Sequence, residues 1–396
     1  MPDGVRLLGD SATWLTAEYA DQVRSTRQHA LPTGGAQLRV VLHPATPDLI
    51  LTADDSGIVR AFAETVSGGP GYHRFVGRVL ERLGTELNID WDESSADLAF
   101  ADRPEVETAY LAWLGPALAQ VRNARQRSSA GVQIGTPPGT RYTFEGAIAT
   151  SLGPRDDAWL EAAVADPRIA IEITPWWLDA TDGRYLLNRA LALMWLEVRW
   201  RKAAVEGEAE RLDDVHRLLS KAYPVEPGLA YPWHDWAELI TFGGYEDGMT
   251  RQVHARTKLE PAGPPIGYRR DPVSISHEGW TVEIPGDFAE RRTEEEWWGG
   301  GAGRSITLAA TDTGSMAGHA FLAQVAGDLG GEALTHQAGP VVGRARITSD
   351  DASGVAVGVL DGYSAINGSG AAIRIVFDDP NDWQWALELW RSLAPG

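Results

Sequence analysis

The stretch EEEWWGGGAGRS, residues 294–305, combines acids, tryptophans, glycines and an arginine in a spacing that resembles a phosphate-binding loop. Such a loop needs Gly-x-x-x-x-Gly-Lys-Ser/Thr between a strand and a helix, because helix N–H groups and the lysine contact the phosphates. Here Arg304 occupies the lysine position, Trp298 occupies the first glycine position, and a β-like segment follows. The pattern therefore predicts a glycine-rich turn between two strands.

Two tryptophan pairs are candidates for partner binding. Trp297 and Trp298 precede the glycine run, where their rings could be exposed, and exposed aromatic residues often anchor interfaces. The second pair lies in TPWWLDATD, residues 174–182, near carboxylates, and this combination can hold a sugar or a cation. Packing inside a core is the alternative for both pairs. We predict an interaction site made of Trp176, Trp177, Glu295, Glu296, Trp297 and Trp298.

Charged residues between positions 90 and 157 offer an alternative, which is an enzyme site. Asp90 and Asp92 could bind a hard cation, but Glu93 and Ala99 replace the glycine and the bidentate glutamate of an EF-hand, and a solvated acidic loop explains the acids better. The alternative function is a hydrolase or transferase with a site in the cleft between the N-terminal and central segments. Its candidate residues are Asp90, Asp92, Arg141, Glu145, Arg155, Asp156 and Asp157.

The other catalytic templates each lack a required residue. The chain has no cysteine, which excludes disulfides, thiolate nucleophiles and cysteine-ligated zinc. No pair of its histidines matches the HExxH spacing of a zinc site, and DGYSAI has Ile366 where a nucleophile elbow needs its second glycine. We expect no cofactor and no metal site. A catalytic site whose residues are distant in sequence and are brought together by folding stays an alternative.

Charge and hydropathy limit the partners. The 396 residues carry a net charge of −20, from 55 acids and 35 bases, and this surface repels nucleic acid and anionic lipid. The sequence has no run of about eighteen apolar residues and no secretory signal at its start, so we expect no membrane span and a cytoplasmic location. Arginine is preferred to lysine and Ala and Gly are abundant, which indicates a bacterial source. The acidity predicts a protein partner, possibly a basic one.

Three segments of an α+β protein must position these residues. Residues 1–130 mix strands and helices, with apolar residues from Tyr72 to Leu83 on one helix face. Residues 131–260 are a Gly/Pro-rich bridge followed by helices, among them a long apolar helix that begins at DGRYLL, residues 182–187. After a Pro-rich linker over 261–272, residues 273–396 alternate in the manner of an antiparallel sheet with flanking helices.

The third segment contains GWTVEIPGDF, then a meander, and then a terminal helix that carries WALELWRSL. This pattern, over about residues 273–394, resembles the Mog1/PsbP-like fold. Domains of that fold usually bind protein partners, so the resemblance implies a binding role, and the fold has no catalytic residues to carry over. We therefore predict a non-catalytic, tryptophan-rich interaction module, scaffold or immunity-like adaptor.

Overall fold

The computed structural model describes residues 3–32, 34–92, 103–127, 131–137, 139–142, 147–293, 295–326, 333–350 and 357–396. Helices and antiparallel sheets are both abundant in these residues, so the predicted α+β class is confirmed. Contacts divide the chain into two compact units. The first comprises Met1–Pro138, Phe144–Val198 and Ala209–Gly267, and the second comprises Gly139–Thr143, Arg199–Glu208 and Tyr268–Gly396. The finer division into three segments stays a prediction.

The first unit begins with an antiparallel sheet that has helices on one face. Its elements are α1 (Asp3–Glu18), β1 (Ser25–Ala30), β2 (Ala36–Val41), β3 (Leu49–Ala53), β4 (Val59–Phe62) and α2 (Pro70–Leu87), and the strands pair in chain order. Alternate residues such as Leu38, Val40 and Leu51 are fully buried and form one core with Phe75 and Val79 of α2. The predicted apolar face of α2 is therefore confirmed. The sequence also predicts that this helix ends at Gly84, but it continues to Leu87, and Asn88 caps it in the left-handed conformation.

The rest of the first unit is mainly helical. Its elements are α3 (Arg103–Arg127), β5 (Val132–Ile134), β7 (Ile148–Thr150), α4 (Asp157–Ala165), a 3-10 helix over Pro167–Ile173, α5 (Gly183–Leu196), α6 (Glu208–Val225), α7 (Trp233–Gly243) and α8 (Gly248–Arg256), and β5 and β7 pair in parallel. The sequence predicts a kink or break at Gly115-Pro116, but α3 continues through Pro116. The long helix predicted from residue 182 stops at Leu196, and Trp200 beyond it has a left-handed backbone with φ 53°.

The second unit contains two antiparallel sheets. Its elements are β6 (Thr140–Tyr142), β8 (Val273–His277), β9 (Trp280–Ile284), β10 (Ala289–Arg292), β11 (Trp297–Gly301), β12 (Arg304–Asp312), α9 (Gly318–Val325), β13 (Leu334–Ala338), β14 (Val341–Asp350), β15 (Val357–Ile366), β16 (Ser369–Phe377), α10 (Trp383–Arg391) and β17 (Ala394–Pro395). The strand orders are β10-β11-β12-β16-β15-β14-β13 and β17-β9-β8-β6. Asp379 caps a 3-10 turn, Pro380–Asp382, that leads into α10.

The glycine-rich stretch is a hairpin, as the sequence predicts, but its turn is shorter than expected. Gly301 pairs with Arg304, so only Ala302 and Gly303 form the turn, with φ 49° and 76°. These are the positive values of a tight type I′ hairpin turn. Gly299 instead belongs to β11, where a Cβ atom would lie 2.3 Å from the ring of Trp297. The ring of Trp297 therefore explains why residue 299 is a glycine, although the sequence pattern places that glycine in the turn.

Candidate functional site

Two of the six predicted interaction residues are buried. Trp176 is 1% exposed and packs on Phe75 and Tyr185, with ring centroids 4.7 and 4.2 Å away. Trp297 has no exposed surface, and its Nε1–H donates to the carboxylate of Glu290 at 3.1 Å. The expectation that these rings are exposed is therefore wrong for both residues, because each one completes a core.

The other four predicted interaction residues remain within reach of a partner. Glu295 and Glu296 are exposed at the tip between β10 and β11, and Trp298 is half-buried under the guanidinium of Arg291 at 5.3 Å. Trp177 is half-buried and contacts Tyr110 edge to face, with 5.7 Å between ring centroids. The two tryptophan neighbours in each pair thus face different surroundings, and an interaction role stays a prediction for these four residues.

The residues of the alternative cleft do not converge in the described part of the chain. Asp90 and Asp92 are exposed after α2, Arg141 lies on β6 of the second unit, and Glu145 lies outside the described residues. The remaining three have local structural partners. Arg155 donates to Glu172 at 2.8 Å, Asp156 caps α4 through the Trp159 N–H, and Asp157 accepts from Arg125 at 3.0 Å.

A pocket of about 240 Å³ lies within the first unit, where the loop after β4 meets α3, β5 and the 3-10 helix. Gly69 brings the loop close to the segment after that helix. Its φ is 100°, and a Cβ atom on it would lie 2.1 Å from the Thr174 methyl group. Backbone bonds lock this contact, since Trp176 N–H donates to Gly68 at 3.0 Å and Gly71 N–H donates to Trp176 at 3.1 Å. Trp176 is thus a packing residue that anchors one wall of the pocket.

The described residues of the pocket lining are mostly apolar and include one carboxylate. Leu114, Ile134 and Ile173 are among its apolar residues, and the polar or aromatic ones are Glu64, Ser67, Tyr110, Trp113, Thr136 and Thr174. Trp113 is 47% exposed, and Glu64 is also exposed. The Ser67 Oγ atom is buried and has no hydrogen-bond partner among the residues that the structure describes. This combination can hold a small group that has an apolar stem and a polar or charged end.

Tyr110 is held in place by a hydrogen-bond chain. The Thr174 hydroxyl donates to the Ala170 carbonyl at 3.1 Å, and the Tyr110 hydroxyl interacts with Thr174. Burial raises the pKa of Tyr110, and its bond to Thr174 offsets only part of that effect. The ring therefore stays neutral and presents a fixed aromatic surface to the pocket.

Two partly buried carboxylates outside the pocket belong to ion-pair clusters, one in each unit. Burial alone would raise the pKa of Glu197, but Arg24 and Arg211 outweigh that effect and lower the pKa to about 2. Arg24 contacts both carboxylate oxygens, at 2.7 and 3.1 Å, and Arg211 contacts one of them at 2.9 Å. Glu290 is held in the same way between Arg269 and Arg199, which lower its pKa against the effect of burial.

Two well-buried histidines also have structural partners. His216 accepts from Trp236 Nε1–H through Nδ1 at 3.1 Å, so its Nε2–H donates to Asp247 at 2.9 Å. His43 accepts from the Ala45 N–H at 3.2 Å, and burial lowers its pKa well below 6.5. Among the described residues, no three His, Asp or Glu side chains are grouped as metal ligands. In the same residues, no helix has both the length and the apolar character needed to cross a membrane.

Comparisons with known proteins give little information about the chain. No family model and no curated protein matches it. One solved structure, from Bacteroides thetaiotaomicron VPI-5482, is similar at 10% identity and a TM-score of 0.26, covering 30% of this chain and 45% of that one. The chain thus spans less than half the length of that protein, and a likeness at this TM-score supports no inference about fold or function.

Sequence reasoning missed the residues that line this pocket. Trp113 belongs to the apolar periodicity of α3 and is expected to be buried, and Glu64 and Ser67 flank a strand end without any motif. One signal was available, the adjacent glycines Gly68 and Gly69, since such a pair often marks close backbone approach. The partner of that approach, the segment around Thr174, lies about a hundred residues further along the chain and cannot be inferred from local pattern.

Proposed function

We propose that the chain is a non-catalytic protein-interaction module, acting as a scaffold or an immunity-like adaptor in a bacterial cytoplasm, and that it binds a basic protein partner. The observation that carries this proposal is the first-unit pocket, whose described lining residues include an exposed tryptophan and one carboxylate. Tryptophan is enriched among residues that dominate binding energy. Among the described residues that line the pocket there is no histidine, no lysine and no second carboxylate to act with Glu64 in proton transfer, so binding suits it better than catalysis.

The net charge supports the same proposal. A surface with a charge of −20 attracts a basic protein over a distance and speeds encounter, and salt screens that attraction. The exposed Glu295 and Glu296, with Trp177 and Trp298, are further proposed contacts. The resemblance of residues 273–394 to the Mog1/PsbP-like fold also favours a binding role. The hydrolase or transferase alternative needs converging titratable groups, and no observation favours it.

The test is capture of a partner by the tagged full chain from native lysate, with elution over a salt gradient. The variant Trp113→Ala removes the exposed pocket ring, and Trp383→Ala is its matched control, because Trp383 is exposed to a similar extent, 49% against 47%. We expect a stoichiometric basic partner that is lost as salt rises, that binds at least tenfold more weakly to Trp113→Ala, and that still binds Trp383→Ala. Failure to capture any protein at low salt would contradict the proposal.

A further inference from the structure

We propose that the first-unit pocket binds a cation, the ammonium or guanidinium end of a lysine or arginine side chain that the protein partner supplies. This inference rests on the proposed function and states the chemistry of one contact. It follows from the charges in the pocket, from its hydrogen-bonding groups, from its aromatic rings and from its size.

The pocket offers acceptors and negative charge. Glu64 is the only residue with a formal charge among the described lining residues, and no described cation forms an ion pair with it. The buried Ser67 Oγ atom has an unused acceptor position. Ammonium and guanidinium groups have only donors, so they can bond to both oxygens, whereas an anion would be repelled by Glu64. The lining therefore selects a positively charged end group.

Two aromatic rings in the same pocket can stack on the cation. Tyr110 and Trp113 lie one helical turn apart on α3, with ring centroids 5.8 Å apart and planes inclined at 42°. A guanidinium or ammonium within about 6 Å of such a ring is attracted by its negative face. Trp113 is partly exposed, so a side chain that arrives from solvent can reach its ring.

Arginines of the chain itself already cover other tryptophans of this kind. Arg304 lies 4.7 Å from the ring of Trp385, and Arg291 lies 5.3 Å from the ring of Trp298, both half-buried. Among the described residues, no arginine or lysine covers the pocket rings, Tyr110 and Trp113, in this way. These two rings are therefore available to a cation from outside the chain.

The size of the pocket favours a side chain. Its volume of about 240 Å³ is below the roughly 300–1,000 Å³ of sites that enclose drug-sized ligands. A single long side chain has an apolar stem for Leu114, Ile134 and Ile173, and a charged end for Glu64.

The experiment titrates the full chain with Nα-acetyl-arginine methylamide and with its neutral isostere, the citrulline derivative, by ligand-observed NMR and calorimetry. A pentapeptide with a central arginine is the third probe. We expect the arginine probes to bind and the citrulline probe to bind at least tenfold more weakly. The variants Glu64→Gln and Trp113→Leu should each raise the dissociation constant of the arginine probes roughly tenfold. The control Glu86→Gln, an exposed acid on α2, should change it less than twofold.

Each outcome decides between the alternatives. Equal binding of arginine and citrulline, or wild-type affinity in Glu64→Gln, would overturn the cation site. If the free derivative binds but the peptide does not, the pocket takes a small free cation and the partner side chain is ruled out. If wild type and Glu64→Gln capture a salt-sensitive partner equally well, the proposed function stands and only this site is refuted. Probe binding without any captured partner would support this site and contradict the proposed function. Thermal unfolding of each variant confirms that it is folded.

Discussion

Replacing Glu197 by glutamine should lower the free energy of unfolding by about 3 kcal/mol at pH 7. The carboxylate contacts Arg24 at 2.7 and 3.1 Å and Arg211 at 2.9 Å, and the Arg24 side chain is only 16% exposed. Glutamine keeps the size of the side chain but leaves the arginine charges poorly compensated. Removal of one member of a buried ion pair costs about 3–5 kcal/mol, and the partial exposure of Glu197 places the expected value at the lower end.

The pKa of Glu197 gives a second route to the same magnitude. It falls from 4.5 to about 2 on folding, and at about 1.4 kcal/mol per pKa unit this corresponds to roughly 3 kcal/mol. A carboxyl group with a lowered folded pKa contributes its full stability above pH 4.5, and that contribution is lost as the pH falls toward 2. The difference between wild type and Glu197→Gln should therefore shrink by about 1 kcal/mol between pH 7 and pH 4.

Urea unfolding followed by circular dichroism at pH 7 and pH 4 measures both effects. If unfolding shows two transitions, the comparison between wild type and variant uses the transition whose midpoint the replacement shifts. Glu86→Gln is the control, since Glu86 is exposed on α2 and its replacement should change stability by less than about 0.5 kcal/mol. A loss below about 1 kcal/mol for Glu197→Gln, or a difference that stays constant with pH, would refute the assignment of Glu197 as a strongly stabilised carboxylate.

Three pairs of replacements test the remaining structural claims. Gly69→Ala should destabilise by more than 2 kcal/mol, because its Cβ would clash with Thr174, whereas Gly57→Ala, also at positive φ but in open space, should cost about 1 kcal/mol in thermal unfolding. Asp247→Ala removes the cap of α8 and should cost about 1 kcal/mol, which Asp247→Asn should largely restore. Trp297→Ala should cost about 3–5 kcal/mol and Trp298→Ala about 1 kcal/mol in urea unfolding, and equal losses would contradict their different burial.

Local sequence signals predicted the parts of the fold that depend on near neighbours. The apolar spacing from Tyr72 to Leu83 identifies the buried face of α2, and Asp379-Pro380 identifies the start of the last helical region. Such signals depend on residues within one or two turns, whose geometry is set by the backbone itself. The hairpin before Arg304 was found for the same reason, since turns are encoded by a few adjacent residues.

The candidate site depended on contacts between distant residues and was not predictable in that way. Trp176 and Trp177 are adjacent and chemically identical, yet one packs against Phe75 and the other against Tyr110. Successive side chains of an extended segment point in opposite directions, so the pair could be separated only once its neighbours were known. Trp113 likewise has the spacing of a core residue, yet its side chain is 47% exposed.

The small strand β6 has a consequence for how the second unit is made. Residues 140–142 pair with β8, residues 273–277, so this sheet joins pieces that the ribosome synthesises about 130 residues apart. Closing so long a loop is slow in folding, and until β8 emerges β6 has no partner strand. A fragment that starts at residue 268 would lack β6 and leave the edge of β8 open, where an unpaired strand can join a second chain. Such a fragment should aggregate, and dissection of the protein into independently expressed units should retain residues 139–143 and 199–208.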